Sequence, residues 1–365
     1  MATTATGSDR IGWVDYAKGL CIILVVMLHT TKNIEFWAEE EGFLHYVVVF
    51  AQPFRMPDFF LVSGLFLAPV IDRPWRRYTD TKVLHFVYFY VLWATITFMT
   101  KGPGYLWAGS YEKLLEFPMA FIEPLGTLWF IYVLPIFFVV TKVLRDHRVN
   151  MWLAWIAAAI LETARVQTGW TAIDEFCARG VYFLSGYLIA SYVFSGARWV
   201  EKNTIIAMAL LLVWGVVNSY AVFTPSPRGI ADTIAHLPVI SLVLGFAGAF
   251  ALITTGVLLN RYNALRFIRY CGEKSLVIYL AFFLTVTPLK FVVVGYDLDV
   301  GWSSLALTVI SVAFPLMLYH LVRGTRLSFL FERPNAFKLS PTPPTSASRP
   351  RGGPAQPVLT EAGES

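Results

Sequence analysis

The sequence predicts an all-α, polytopic membrane protein of about ten transmembrane helices with both termini in the cytoplasm. Three observations lead to this fold class. Of the 365 residues, 56% are hydrophobic and only 15% are charged, whereas soluble domains carry about 25% charged residues. The apolar residues form runs long enough to cross a hydrocarbon core about 30 Å thick. Most of the 29 Lys and Arg residues fall in alternate loops, which marks those loops as cytoplasmic.

Ten apolar segments reach or approach spanning length. They occupy approximately residues 19–34, 44–70, 82–100, 124–144, 149–166, 172–195, 203–223, 235–259, 274–294 and 302–323. The fifth segment has the weakest pattern, because Glu162 and Arg165 shorten its apolar run. The basic residues precede the first segment and follow each even-numbered one. An even number of spans therefore returns both ends of the chain to the cytoplasm.

The pattern divides the chain into three parts. Residues 1–18 form a cytoplasmic N-terminal segment, residues 19–325 a ten-helix membrane domain, and residues 326–365 a cytoplasmic tail. The tail becomes rich in Pro, Ser, Thr and Gly after about residue 338, so we expect it to be largely disordered. The first apolar run lacks a small-residue cleavage site and is expected to be a retained span.

Composition also excludes several classes of function. The net charge of +5 is explained by cytoplasmic loops that collect Lys and Arg, so no nucleic-acid partner is expected. The three cysteines lie far apart without a CxxC pair, and we expect no metal site. No phosphate-binding loop, GxSxG or HExxH motif of a soluble enzyme is present.

Lys18 and His29 bracket the first apolar segment, with ten residues between them. An ionisable side chain within a span is costly and marks a candidate functional site. Eleven helical residues make about three turns and rise about 16 Å, so both side chains project from one side, with His29 near mid-membrane. A packing histidine is the simpler interpretation. The alternative is a general base, because imidazole titrates near neutral pH and can accept a hydroxyl proton.

The second segment contains two charges, Arg55 and Asp58, three residues apart and hence on one helical face. We expect an ion pair, either as a structural clasp or as part of a polar cavity. Pro53 and Pro57 weaken the backbone hydrogen bonds, so the helix is expected to kink or to begin its regular part after Pro57. Ser63 and the glycine that follows it permit close approach by another helix.

A further charge, Arg179, lies in the sixth segment, four residues after Glu175. This spacing favours a local ion pair, and a structural pair is the simpler interpretation. The fourth segment opens with Trp129, a residue typical of membrane interfaces.

The first inner loop, residues 72–82, is dense in cations. They are Arg73, Arg76, Arg77 and Lys82. The simpler interpretation is that they only set the topology. The functional interpretation is a phosphate clamp, because guanidinium groups match phosphate oxygens and a nucleotide-bearing acyl donor such as coenzyme A needs one.

Four motifs, in order along the chain, resemble those of the membrane-bound acyltransferase-3 family. In residues 15–29 a basic residue is followed by ten others and a histidine. Residues 54–67 resemble the second-span pattern of two Phe followed by Ser-Gly. The other two matches are Leu-Trp-Phe-Ile at 128–131 and the Gly, Ser and Tyr-Leu series within 270–280. The sequence is identified as similar to a divergent branch of this family over roughly residues 10–325.

The resemblance implies an O-acyltransferase that moves an acyl group, often acetyl, from cytoplasmic acyl-CoA to a hydroxyl of a glycan or other small acceptor. It implies His29 as the catalytic histidine and Lys18 as its basic partner, and we expect Asp58 to act with them. The residues expected to bind donor or substrate are Arg55, Ser63, Arg73, Arg76, Arg77, Lys82, Trp129 and Arg179. Acyl-CoA is expected as a cosubstrate without a bound cofactor, in a multi-pass protein of the bacterial inner membrane.

Three departures from the family pattern leave alternatives open. Lys18 stands where Arg is usual, which loses a bidentate fork. The late motif often ends in His, but here Leu280 is followed by Ala281 and Phe282. Asp58 stands where an apolar residue is common. A transporter or flippase also suits buried charges and proline-interrupted helices, and the missing late histidine keeps a non-enzymatic scaffold open.

Overall fold

The computed structural model describes residues 11–107, 109–286 and 298–339. Over these residues the chain is helical without a β-strand, which confirms the all-α prediction. The helices are α1 (Gly12–Ala38), α2 (Leu44–Phe50), α3 (Arg55–Leu65), α4 (Trp75–Lys82), α5 (Leu84–Trp107), α6 (Glu116–Met119), α7 (Trp129–Asp146), α8 (Met151–Thr163), α9 (Thr171–Leu188), α10 (Ala190–Lys202), α11 (Thr204–Phe223), α12 (Pro238–Arg261), α13 (Arg266–Glu273), α14 (Ser275–Ala281) and α15 (Val300–Val322).

Six stretches of the described chain are long and apolar enough to cross a membrane. They are Gly12–Ala38, Trp75–Trp107, Gly126–Asp146, Thr204–Phe223, Pro238–Arg261 and Val300–Val322. Helices α9 and α10 also pass this test together but are bent by 74°, which gives up to seven spans. The chain is therefore a multi-pass membrane protein. Where the sequence predicts a fifth span, α8 has only 13 residues, and the end of the predicted ninth span lies outside the described residues.

The predicted second span, residues 44–70, is broken into α2 and α3. The regular helix begins at Arg55, earlier than the position after Pro57 that the sequence predicts. Pro57 lies in the first turn of α3, where a missing backbone N–H leaves no hydrogen bond unmade. The break falls instead at residues 51–54, just around Pro53. This break places Arg55 at the start of a helix inside the bundle.

Helix α1 is the central element of the bundle and packs against α3, α12, α13 and α15. Its crossing with α13 is very close, because a Cβ atom at Gly272 would lie 1.6 Å from the carbonyl oxygen of Asp15. On another side, the hydroxyls of Thr30 and Thr308 are 2.7 Å apart and join α1 to α15. These contacts fix the rotation of the helix that carries Lys18 and His29.

Helices α3 and α9 cross at Gly64, as the small Ser-Gly pair predicts. A Cβ atom at Gly64 would lie 2.2 Å from the carbonyl oxygen of Phe183, a backbone atom that cannot move aside cheaply. The crossing lets α3, which carries Arg55, approach α9, which carries Arg179.

We expect Gly64→Ala to destabilise the protein, because the added methyl group forces α3 away from α9 and overpacking costs about 1–3 kcal/mol. Thermal unfolding in detergent, followed by size-exclusion chromatography, measures the loss. Gly215→Ala is the matched control, since a Cβ atom at Gly215 in α11 meets nothing within 4 Å. Equal melting temperatures for the two variants would contradict the close crossing.

The segment 325–339 folds back over α4 and α5. Arg333 donates to the Asp80 carboxylate at 2.8 Å, and both side chains are 6% exposed. The hydroxyl of Tyr88 and the indole N–H of Trp93 donate to the carbonyl oxygens of Phe329 and Leu330, each at 2.9 Å. The first part of the predicted tail is thus packed on the membrane domain, and the remainder from residue 340 lies outside the described residues.

The helix ends fall on two sides of the bundle. The side we call the basic end contains residues 12–18, 72–82, 142–148, 261–274 and 323–339. There Nε of Arg145 lies 3.5 Å from Oδ1 of Asp72, and the Tyr16 hydroxyl donates to the carbonyl oxygen of Ala264 at 2.7 Å. The side we call the opposite end contains residues 35–54, 162–175 and 233–241, where His45 lies 3.1 Å from Glu35. The predicted inner loops 72–82, 142–148 and 261–274 thus lie at one end of the bundle.

Candidate functional site

A cavity of about 400 Å³ lies inside the helical bundle. Six of the residues predicted to form the site line it together: Lys18, His29, Arg55, Ser63, Trp129 and Arg179. They come from α1, α3, α7 and α9, so the fold gathers residues that are as much as 161 positions apart in the chain, from Lys18 to Arg179. We call this space the central cavity. Apolar side chains complete its wall: Val25, Leu28, Met56, Phe59, Phe86, Phe130, Leu134 and Leu276.

The imidazole of His29 is half-buried in the wall of the central cavity. Its ring stacks on Phe282, with centroids 5.4 Å apart and planes 29° from parallel. Among the described residues neither ring nitrogen has a hydrogen-bond partner, so packing on Phe282 sets the orientation of the ring. This arrangement leaves a ring nitrogen available to accept a proton from a molecule in the cavity.

Lys18 lines the central cavity on the same side of α1 as His29, with its ammonium 5.8 Å from the ring centroid of Phe66. It also acts electrostatically on Asp58, which is fully buried behind the cavity wall beside Cys21. Neither carboxylate oxygen of Asp58 has a hydrogen-bond partner in the described part of the chain. Asp58 does not line the central cavity, and its predicted catalytic role stays a prediction.

The expected ion pair between Arg55 and Asp58 is not formed. Arg55 starts α3 and lines the central cavity, whereas Asp58 faces α1 near Cys21. Two guanidinium nitrogens of Arg55, Nε and Nη1, are buried without a hydrogen-bond partner among the described residues. A spacing of three residues puts two side chains on one face but does not make them touch, particularly in a first helical turn. An unsatisfied buried guanidinium that lines a cavity is a ready site for an anion or a carbonyl oxygen.

Arg179 and Glu175 form the predicted ion pair, with 2.8 Å between Nε and Oε2. Both side chains line the central cavity and also a second cavity of about 740 Å³ at the opposite end. The ion pair therefore forms part of the partition between the two spaces. The second cavity, which we call the outer vestibule, has many polar side chains in its wall. Its polar lining includes Gln52, Glu162, Arg165, Gln167, Asp174, Thr233, His236 and Ser241.

The cations of the loop 72–82 are not gathered into a single clamp. Arg76 donates to the carbonyl oxygen of Leu339 at 2.9 Å, and Arg77 is exposed. The ammonium of Lys82 lies 4.8 Å from the ring centroid of Phe138, and Arg73 and Lys18 both repel it electrostatically. None of these loop cations lines the central cavity.

Two further residues of the predicted site, Ser63 and Trp129, contact other residues in the wall of the central cavity. The Ser63 hydroxyl donates to the carbonyl oxygen of Phe59 at 2.7 Å, one turn earlier in α3. Trp129 stacks on Phe60, with centroids 6.1 Å apart. Tyr279, in the late motif, donates its hydroxyl to the carbonyl oxygen of Thr127 and ties α14 to the start of α7. Through these contacts Ser63, Trp129 and Tyr279 pack in the wall of the central cavity.

A family assignment follows from comparison with known proteins. The profile described as "Acyltransferase domain", that of the acyltransferase-3 family, matches residues 11–320. The chain belongs to the acyltransferase-3 family. It is 23% identical over 235 residues to the inner membrane protein YcfT of Escherichia coli (strain K12), covering 57% of this chain and 64% of YcfT. No solved structure shows a significant match.

A second member of the acyltransferase-3 family, the nodulation protein NolL of Mesorhizobium japonicum, is 23% identical over 212 residues. That match covers 55% of this chain and 56% of NolL. The matched regions therefore span less than two thirds of either curated relative. Every residue that lines the central cavity lies within the matched acyltransferase-3 region.

Sequence reasoning missed several polar residues that line the central cavity of this acyltransferase-3 protein. They are His85, Thr127, Glu175 and Ser275. Glu175 was predicted only as a partner of Arg179. His85 carries a signal that was available, because it lies one turn after Lys82 at the start of the third span. Among the described residues, no group of three or more His, Cys, Asp or Glu is arranged to hold a metal ion.

Proposed function

We propose that this chain is an integral-membrane O-acyltransferase that transfers an acyl group, acetyl in the simplest case, from acyl-CoA to a hydroxyl of a glycan or other small acceptor. The main support for the proposal is the composition of the central cavity. It brings His29 together with Lys18, Arg55 and Arg179 inside the apolar part of a member of the acyltransferase-3 family. Charged side chains at such depth are expensive and are characteristic of functional sites.

In the proposed reaction His29 is the general base. A ring nitrogen takes the proton of the acceptor hydroxyl as the oxygen attacks the thioester carbonyl carbon. The new C–O bond forms, the C–S bond breaks, and the thiolate of CoA leaves with the proton that His29 has received. Negative charge develops on the carbonyl oxygen during attack. The guanidinium of Arg55, with two nitrogens unsatisfied, is the group we propose stabilises it.

We further propose ten spans with both termini in the cytoplasm of a bacterial cell, in the inner membrane. The alternation of apolar segments and basic loops along the sequence supports this topology. The basic end contains three of the predicted inner loops, 72–82, 142–148 and 261–274, as expected for the cytoplasmic face. YcfT is an inner membrane protein by name, which supports the same membrane for this relative.

In this topology donor and acceptor reach the central cavity from opposite faces. The basic end faces the cytoplasm and receives acyl-CoA. The polar outer vestibule faces the other side, and its amide, hydroxyl and carboxylate groups suit an acceptor with several hydroxyls. The Glu175–Arg179 pair stands between the vestibule and His29. We propose that the acceptor hydroxyl passes this pair to reach the base.

The proposal is tested by measuring the binding and the turnover of acetyl-CoA by the purified full chain in detergent. We expect saturable binding by titration calorimetry and release of free CoA thiol as the thioester is consumed. Transfer is followed as radiolabelled acetyl incorporated in membrane vesicles from cells that express the protein. A folded sample that binds neither acetyl-CoA nor longer acyl-CoA would contradict the proposal and favour a transporter or scaffold.

The variant Arg76→Ala/Arg77→Ala locates the donor in the same experiment. We expect it to weaken acetyl-CoA binding by less than about tenfold, because Arg76 already donates to Leu339 and Arg77 is a surface cation. Complete loss of binding with an unchanged melting temperature would instead make the loop 72–82 the main phosphate clamp.

A further inference from the structure

A groove of about 670 Å³ lies at the basic end, between α5 and the segment 325–338. Three cations line it, namely Arg326, Arg333 and Lys338, against one carboxylate, Glu332. Side chains with hydrogen-bond donors lie beside or between these charged residues along the segment. These are Thr325, Ser328 and Asn335. We call this space the basic groove. Its lining suits an anion with several oxygens.

Arg333 is the buried anchor of the basic groove. Its side chain is 6% exposed, and only Nη2 is used, in the ion pair with Asp80 at 2.8 Å. The atoms Nε and Nη1 are buried without a hydrogen-bond partner among the described residues. Two unsatisfied donors on one buried guanidinium are costly unless a ligand completes them. Phosphate oxygens have the charge and the geometry to do so.

His85 connects the basic groove to the central cavity, because its side chain lines both spaces. Its ring packs against Phe86 and Phe89, with centroids 5.3 and 5.1 Å apart. Arg333 and Lys82 act electrostatically on this ring. A ligand that enters past His85 therefore has cations beside its outer part and the apolar wall of the central cavity around its inner part.

We propose that the segment 325–339 forms the roof of a phosphate site, in which Arg326, Arg333 and Lys338 bind the phosphorylated nucleotide end of the acyl-CoA donor while its thioester arm passes His85 towards His29. This inference rests on the proposed function and specifies where that donor is held. It moves the main phosphate contact from the loop 72–82 to a segment that the sequence pattern assigns to the tail. Arg76 takes part indirectly, by holding Leu339 in place.

The test is the variant Arg326→Gln/Lys338→Gln in the full chain. Arg326 is exposed, and Lys338 is half-buried with its ammonium donating to Asn335 at 2.8 Å. Arg333 is left intact because its loss also breaks the Asp80 pair. Two probes are compared, acetyl-CoA and S-acetylpantetheine, which lacks the nucleotide and its phosphates. We expect binding of acetyl-CoA to weaken by about tenfold, since charge-assisted hydrogen bonds are lost. Turnover of S-acetylpantetheine is expected to stay unchanged.

Arg323→Gln is the matched control, because Arg323 is an exposed cation two to three residues away in the chain from the groove lining and does not line it. Equal affinity for acetyl-CoA in the double variant, the control and the unaltered chain would overturn the phosphate site while leaving the proposed function intact. Failure of the unaltered chain to bind acetyl-CoA would overturn the proposed function itself.

An anionic lipid headgroup carries a phosphate with the same chemistry as that of acyl-CoA. Nanodiscs of different lipid composition distinguish the lipid from acyl-CoA as the ligand of the basic groove. Affinity for acetyl-CoA is measured in phosphatidylcholine and in phosphatidylglycerol nanodiscs. We expect the same affinity in both for the unaltered chain. Loss of affinity in phosphatidylglycerol, seen in the unaltered chain and absent from Arg326→Gln/Lys338→Gln, would assign the groove to the lipid and overturn the proposal.

Discussion

Replacing His29 with Ala is expected to lower acetyl transfer from acetyl-CoA by at least about 100-fold, the usual contribution of a positioned general base. The imidazole lines the central cavity, and among the described residues its nitrogens are committed to no other group. Binding of acetyl-CoA is expected to change little, because the proposed base acts on the acceptor hydroxyl. Transfer into membrane vesicles and titration calorimetry measure the two quantities on equal amounts of folded protein.

Two further variants sharpen this prediction. His147→Ala is the matched control, because His147 is exposed at the end of α7 and is expected to leave transfer unchanged. Phe282→Leu removes the stacked ring that orients His29 and is expected to lower the turnover number without changing donor affinity. Full activity in His29→Ala would show that another group takes the hydroxyl proton and would contradict the mechanism.

Replacing Lys18 with Met is expected to reduce turnover of acetyl-CoA by roughly tenfold or more, because it removes a cation from a site where stabilisation of developing charge is a large part of catalysis. Lys18 lines the central cavity and is the cation that acts on the buried carboxylate of Asp58. Its loss removes a charge from the site and leaves Asp58 without compensation in an apolar environment. The turnover number and the melting temperature are both expected to fall.

Lys32→Met is the control for this prediction, because Lys32 is an exposed cation on the same helix. Lys18→Arg keeps the charge and is expected to retain most of the activity. Asp58→Asn separates the two roles of Lys18. If Lys18 serves only to neutralise Asp58, Lys18→Met/Asp58→Asn will regain full turnover, and a direct part for Lys18 in the reaction will be contradicted.

The sequence predicts the all-α architecture and the placement of Lys18 and His29 on one side of α1, for physical reasons. Apolar runs interrupted by basic loops determine that the chain is helical and crosses the membrane. A spacing of eleven residues is enough to place Lys18 and His29 on one side of a single helix. The local pair of Glu175 and Arg179 is likewise set by a spacing of four residues. Each of these inferences depends on residues that are close together in the sequence, within one helix or one apolar segment.

What the sequence does not predict depends on contacts between distant elements. The pairing of Arg333 with Asp80 joins residues 253 positions apart, and the tail composition gives no sign of it. Arg55 and Asp58 are separated by the direction that each side chain takes from the first turn of α3. His85 becomes part of the site only because α5 packs between the central cavity and the basic groove. Tertiary packing, rather than local spacing, decides these three cases.

We propose that the reacting acyl group of the donor lies in the central cavity beside His29. Photo-crosslinking with an acyl-CoA that carries a diazirine on a short acyl chain, followed by mass spectrometry of the labelled peptides, tests it most directly. We predict labelling of cavity residues on α1 and α3, such as Leu28 and Phe59, that excess acetyl-CoA suppresses. Labelling confined to residues outside the central cavity, or labelling that acetyl-CoA does not suppress, would contradict the claim.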